Sequence, residues 1–298
     1  MAGGKQRIYK QRVASTTSLQ KVFRAQELIA ASRIGTARTQ MYATEPFSKA
    51  IKAAVAAVAM HGHVKHPLTT PRTDTNRVAV LVAAADRGMA GSYSANIIRD
   101  ANTLVEQLTE EGHDVQLYVA GRRAVTYYQY RGRALAGQWI YGSDSPTLDV
   151  ANEIADTLLA AFEAPADQGG VAEIHVVWTE FVNMVSQTPR VRRILPLEIV
   201  DAVSATESVD PLYDFEPSAE EVLDALLPRY IRSRLYYFLR EAAASELASR
   251  QRSMRTATDN AEDLIRKYTR LANQARQGDI TQELTEIVSG ADALASGH

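Results

Sequence analysis

The chain has 298 residues, 46% of them apolar, and no cysteine. That length allows two ordinary domains, or one domain with an elongated part, and the missing cysteine excludes disulfides, thiolate metal sites and cysteine nucleophiles. The formal charge is only −2, but residues 1–40 carry eight Lys/Arg against Glu27 alone, and residues 229–276 carry eleven against five Asp/Glu. Basic ends around an acidic middle point to an acidic partner surface or nucleic acid for the basic parts.

Residues 4–60 contain one interior glycine, Gly35, and one proline, Pro46. Ile8, Ser15, Leu19, Val22 and Ile29 recur at helical spacing, which predicts one long helix, bent at Pro46 and roughly 80 Å long at ~1.5 Å per residue. The start, MAGGKQRIYKQR, lacks the apolar stretch of a secretory signal. No apolar run reaches the length of a membrane span, so a cytoplasmic protein is expected. HGHVKHPLTTPRTDTN (61–76) reads as a linker. Its His61, His63 and His66 have no carboxylate at ligand spacing, so they are expected to be solvated rather than to bind metal.

Residues 77–200 change character. Apolar runs at 77–85, 115–121 and 173–182 predict buried strands, and ALAGQWI (134–140) is a candidate fourth. Helical patterns at 94–112, 122–132 and 147–164 lie between them. Alternating strands and helices predict a mainly parallel sheet with right-handed crossovers. EAPADQGG (163–170) reads as a loop, and acidic 201–219, with Pro211 and Pro217, as a surface connection.

From about Ser218 the pattern is helical to Leu294. Met254, Ala257, Ala261, Leu264, Tyr268, Leu271 and Ala275 follow heptad spacing. A helix over 229–294 would be roughly 100 Å long, too long for one compact domain. Two over-long helices at opposite ends are most simply packed on each other. The expected fold is therefore α/β: an antiparallel coiled coil of two long terminal helices plus a central Rossmann-like α/β domain. Its divisions are 1–60, a linker 61–76, the α/β domain 77–217, and 218–298. Alanine, serine and glutamine in the seam bury little apolar area, so the coil is expected to be enclosed by other subunits.

One stretch invites an enzymatic reading. ADRGMAGSYSAN (85–96) joins a strand to a helix through glycines, as phosphate-binding loops do. A Walker loop needs a lysine after its last glycine, whereas Gly91 is followed by Ser92 and Tyr93. Gly88 and Gly91 alone cannot supply a dinucleotide fingerprint, and no nucleophile–histidine–acid set emerges. A tight turn using glycine angles is expected, with no cofactor and no metal. Aromatic residues are sparse on the basic coil, which argues against nucleic acid; a coiled-coil scaffold or nucleic-acid binder is the alternative.

Three separated stretches carry a resemblance. ASELASRQRSMRTATDNAEDLIRKYTRLANQARQGDITQELTEIVSGADAL (244–294), RIYKQRVASTTSLQKVFRAQELIAASRI (7–34) and ADRGMAGSYSAN resemble the gamma subunits of F-type ATP synthases, in that family's order. QELIAASRI and LLPRY look like the actinobacterial branch. The resemblance implies a central-stalk rotor whose coiled coil turns inside a ring of three alpha and three beta subunits. Its α/β foot would meet the epsilon subunit and the c-ring. It also implies no catalysis by the chain itself, no membrane span, and a peripheral place on the cytoplasmic face of the cell membrane. By motif position, Gln26, Arg250, Arg276, Gln277, Thr281 and Glu283 are expected to contact beta subunits or carry coupling. Ile280, Leu284, Ile287 and Leu294 are expected in an apical bearing. The chain departs from the family at Met89-Ala90-Gly91, where LCG is common, and at Gly278-Asp279, which would loosen the helix. It also lacks the plant-type cysteine insertion.

Overall fold

The computed structural model describes residues 3–62, 66–197 and 215–295. They comprise α1 (Gly3–Gly62), β1 (Arg77–Ala83), α2 (Tyr93–Glu110), β2 (Asp114–Ala120), α3 (Arg122–Tyr130), β3 (Gly137–Trp139), α4 (Leu148–Glu163), β4 (Glu173–Phe181), β5 (Gln187–Leu195) and α5 (Ala219–Ala295). Two compact units result: Ala30–Arg250, and Met1–Ile29 with Gln251–His298. His63 and most of the acidic 201–219 stretch lie outside the described residues.

In the larger unit the sheet runs β3-β2-β1-β4-β5. The first four strands are parallel, and β5 is antiparallel to β4. The apolar run of β1 explains its central place, because a strand covered on both faces has no polar side to show. Ala79, Leu81 and Ala83 face α4 and the 223–239 part of α5, with Val55 and Val58 of α1. Val78, Val80 and Val82 face α2 and α3. The strand β5 was not foreseen. It carries Pro189 and four arginine or valine positions exposed to solvent, as suits an edge strand, where a proline breaks no ladder.

Later residues of α1 meet earlier residues of α5 in this unit, so the helices are antiparallel. Gln40 accepts from Arg240 at 2.6 Å, while Val55 and Val58 share a cluster with Leu223 and Leu227. Residues 241–250 of α5 are buried on every side. Ala242, Ala243, Ala244 and Ala248 make this possible, since small side chains let neighbouring backbone approach all round the helix. Ile34, Ala37 and Met41 of α1 and Phe181 of β4 close on Ala244, Leu247 and Ala248.

The smaller unit is a two-helix coil. Along α1, Gln6, Tyr9, Val13, Thr16, Gln20, Phe23 and Glu27 are half-buried, at alternating spacings of three and four. Along α5 the inward positions are Met254, Thr258, Ala261, Ile265, Tyr268, Ala272 and Ala275. Tyr268 stacks on Tyr9 with ring centroids 6.4 Å apart, and Arg12 lies over its ring at 5.4 Å. The seam thus departs from the expected one: Leu264 is exposed, and Thr258, Ile265 and Ala272 take the inner positions. On α1 the regularly spaced Ile8, Leu19, Val22 and Ile29 are exposed as well. Their spacing matches the heptad because they form a second stripe parallel to the true seam.

Candidate coupling surface

The loop after β1 is an internal joint. Asp86 follows the strand, and its Oδ2 accepts backbone N–H groups of Tyr141, Gly142 and Ser143 at 3.1, 2.6 and 3.1 Å. Its Oδ1 accepts the Arg122 N–H, at the start of α3, at 2.7 Å. Four convergent amides at strand ends and a helix N-terminus form the type of nest that holds a phosphate. Here a carboxylate of the chain itself fills it. The approach is close: at Gly121 (φ 109°) a Cβ would stand 2.1 Å from the Ala84 carbonyl oxygen. The left-handed angles in the loop belong to Gly91 and, against the expectation for Gly88, to Met89 at φ 64°.

The same loop grips α5. Ser249 Oγ donates to the Ala90 carbonyl at 2.8 Å, Arg250 Nε to that of Gly88 at 3.3 Å, and the Tyr93 hydroxyl to that of Ala242 at 3.1 Å. Arg250 also pairs with Glu246 one turn earlier on α5. Burial pushes the Glu246 carboxyl pKa up, with the Arg250 charge opposing it. Burial likewise raises the Tyr93 hydroxyl far above its ordinary value. Arg33 of α1 pairs with Asp144 at 2.5 Å, and Arg87 stands 3.9 Å from the same carboxylate. Parts of the three stretches singled out in the sequence therefore meet within the larger unit, through a buried Tyr93–Glu246–Ser249–Arg250 cluster and a partly exposed Arg33–Asp144–Arg87 ion-pair group beside it.

His66 is a capping residue. Its Nδ1 accepts the Leu68 N–H at 3.0 Å, so the proton sits on Nε2, 2.7 Å from Asp224 Oδ1. The residue was expected in a solvated linker; it is buried.

Beyond Arg276, α5 has no inward face. Apart from half-buried Asp279, every residue from Arg276 to Asp292 is exposed, including the apolar Ile280, Leu284, Ile287 and Val288. Bonds within the helix occur along this stretch: Thr281 Oγ1 donates to the Gln277 carbonyl at 2.9 Å, and Gln282 Nε2 to Glu286 Oε1 at 2.9 Å. The helix runs on through Gly278 and Asp279.

A family model described as ATP synthase matches residues 5–294. The ATP synthase gamma chain of Beutenbergia cavernae is 62% identical over 294 residues, covering 98% of this chain and 99% of that one. The chain belongs to the ATP synthase gamma family. The gamma chain of Pseudarthrobacter chlorophenolicus is 55% identical over 295 residues, covering 99% of this chain and 100% of that one. A chain of the Euglena gracilis mitochondrial ATP synthase (OSCP/F1/c-ring, rotational state 3) shares the fold at a TM-score of 0.70 and 13% identity, covering 99% of this chain and 96% of that one. A chain of the Tetrahymena thermophila mitochondrial central stalk and c-ring does so at 0.54 and 19%, covering 79% of this chain and 99% of that one.

The residues singled out for the gamma family divide in two. Arg276, Gln277, Ile280, Thr281, Glu283, Leu284 and Ile287 share the exposed end of α5, and Gln26 is half-buried beside the seam of the same unit. Leu294 lies in α5, with its side chain outside the described ones. Arg250 is set apart: it is 6% exposed and committed within the larger unit. No sequence pattern marks Asp86 as the nest-filling anion; four amides from distant positions converge on it only in the fold.

Proposed function

We propose that the chain is the rotor shaft of an F-type ATP synthase, turned by a proton-driven c-ring and turning inside the ring of three alpha and three beta subunits. Residues 1–60 and 218–298 serve as the shaft and 77–217 as the foot that meets epsilon and the c-ring, with 61–76 between them. The chain performs no chemistry itself; its asymmetry drives the beta subunits through their conformations. It sits peripherally at the cytoplasmic face of the membrane. Among the described residues no helix is long and apolar enough to cross a membrane.

The observation that carries this reading is the bare end of α5. In proteins most helical stability comes from packing an apolar face, and the exposed Ile280, Leu284 and Ile287 of this end suit an apolar sleeve. The basic, weakly cored coil below it suits acidic surroundings that it must not grip in one position. Arg276, Gln277, Thr281 and Glu283 are the contact residues of that end, with Gln26 on the other helix. Arg250 acts from within by fixing α5 to the 85–93 loop. The filled nest at Asp86 counts against a nucleotide-processing role. Native mass spectrometry of the complex drawn from membranes by a tag on this chain tests the reading. One copy with three alpha and three beta subunits is expected; the chain alone, or with nucleic acid, would overturn it.

A further inference from the structure

The larger unit holds a cleft to which the shaft reading assigns no residue role. It has a volume of about 610 Å³ and lies between α1, the β4–β5 edge and α5, within the size range of small-molecule sites. Five cations line it: Lys49 and Lys52 from α1, Arg190 and Arg192 from β5, and Arg234 from α5. Three carboxylates face them, and two are already engaged. Glu45 pairs with Lys49 at 2.7 Å and Glu180 with Arg190 at 2.7 Å. The third, Glu241, accepts the Trp178 Nε1–H at 2.7 Å.

That leaves Lys52, Arg192 and Arg234 without an ion-pair partner among the described residues. They come from three different elements and line one concavity. Arg234 is also held in place: its guanidinium lies 4.8 Å over the Phe238 ring and 5.5 Å from that of Tyr237. Phe238 in turn stacks on Trp178 at 4.0 Å. A cation fixed by stacking loses little freedom on binding a ligand. Burial lowers its pKa from the usual guanidinium value and the nearby Arg192 charge acts in the same direction, while Tyr230, Tyr237 and Glu241 oppose them. Two like charges in one cleft are most readily neutralised by an anion that both can reach, and planar guanidinium forks match phosphate oxygens.

We propose that this cleft binds a multivalent phosphate, free or on a lipid headgroup, through Arg192, Arg234 and Lys52. Trp178 lines the cleft and is one of only two tryptophans. In a Trp139→Phe background the tryptophan fluorescence therefore comes from Trp178 alone and follows changes in the cleft. The full-length chain is titrated with pyrophosphate at constant ionic strength, and separately with phosphatidylcholine vesicles with and without cardiolipin.

A saturable change is expected, weakened about tenfold or more by Arg192→Gln and by Arg234→Met, as loss of a charge-assisted contact implies. Response to pyrophosphate but not to cardiolipin vesicles identifies a free phosphate. Vesicle binding that pyrophosphate displaces identifies a headgroup. Arg192 is exposed on the edge strand, so Arg192→Gln keeps the test decisive even if Arg234→Met fails to fold. No saturable change with either probe, or the same affinity in Arg192→Gln, would overturn the proposal. Assembly with alpha and beta subunits is read separately, so either conclusion can fail without the other.

Discussion

Gly142 donates its backbone N–H to the Asp86 carboxylate at 2.6 Å, and that carboxylate holds three further amides. The contact ties the end of β1 to the start of α3 and to the turn after β3. Asp86→Ala strands four donors in a partly closed site. Their loss is not additive, and a destabilisation of about 3 kcal/mol is expected from the usual cost of unmade charge-assisted bonds. Asp86→Asn, which keeps one acceptor oxygen, falls between. Urea unfolding checks both; a loss below about 1 kcal/mol in the alanine variant would mean that water replaces the carboxylate.

Arg250→Ala tests the grip of the loop on α5. It leaves Glu246 buried beside an empty place, and breaking a buried pair from one side costs about 3–5 kcal/mol. Replacing both members, as Glu246→Leu with Arg250→Met, removes the stranded charge and is expected to recover most of the loss. Chemical denaturation of the single and double variants distinguishes a charge effect from a packing effect. If the double variant is no better than Arg250→Ala, the bonds to the Gly88 and Arg87 carbonyls carry the stability instead.

Glu241 gives a pH dependence whose sign can be worked out. Burial raises its carboxyl pKa, with the Trp178 hydrogen bond opposing it. A carboxyl whose pKa is higher folded than unfolded favours folding when protonated. Its contribution is fully present below the unfolded value, about 4.3, and is lost as pH rises through the raised folded value. Glu241→Gln cannot titrate. The stability of the wild type minus that of the variant should therefore fall as pH rises from about 4 and then level off. Melting temperatures of both proteins across this range check it, and a difference that rises with pH would refute the burial account.

The α/β part was legible because β1, β2 and β4 are buried on both faces and announce themselves as apolar runs. Strand β5 was not, since an edge strand with Pro189, Arg190, Arg192 and Arg193 has no hydrophobic signature. The coil misled in a more instructive way. Its true inner face on α1 includes Gln6, Thr16, Gln20 and Glu27, while Ile8, Leu19, Val22 and Ile29 point outward. The outward stripe repeats at the same spacing as the seam, so periodicity and hydrophobicity together pick the wrong phase. Arg250 shows the converse: an arginine in a basic coil looks like surface, and only the fold reveals the buried carboxylate it serves.

Arg276→Ala with Gln277→Ala tests the coupling end. Both side chains are exposed, so the isolated chain should unfold as the wild type does. Within the assembled enzyme, ATP synthesis is expected to fall on the order of tenfold, equivalent to about 1.4 kcal/mol. Nucleotide affinity of the beta sites should stay largely intact. Synthesis and hydrolysis rates in reconstituted vesicles, beside nucleotide binding, separate these outcomes; unchanged rates would remove both residues from the coupling surface.

Glu27 is an unsatisfied polar group in the coil's own seam. It occupies an inward position of α1, its Oε2 is buried without a hydrogen bond, and the nearest cation, Arg24, stands 3.8 Å away and is largely exposed. An acceptor left unpaired costs about 1–3 kcal/mol, and leucine at a seam position adds apolar burial. Glu27→Leu is therefore expected to stabilise the isolated chain by about 1–2 kcal/mol, read as a higher midpoint in thermal or urea unfolding. A lower midpoint would mean that the Arg24 contact or a bound water already satisfies the carboxylate. If the variant is more stable but its assembled enzyme is slower, the carboxylate serves the turning shaft at the expense of the resting one. Rotation-coupled synthesis measured on the same preparation decides between a seam flaw and a functional charge.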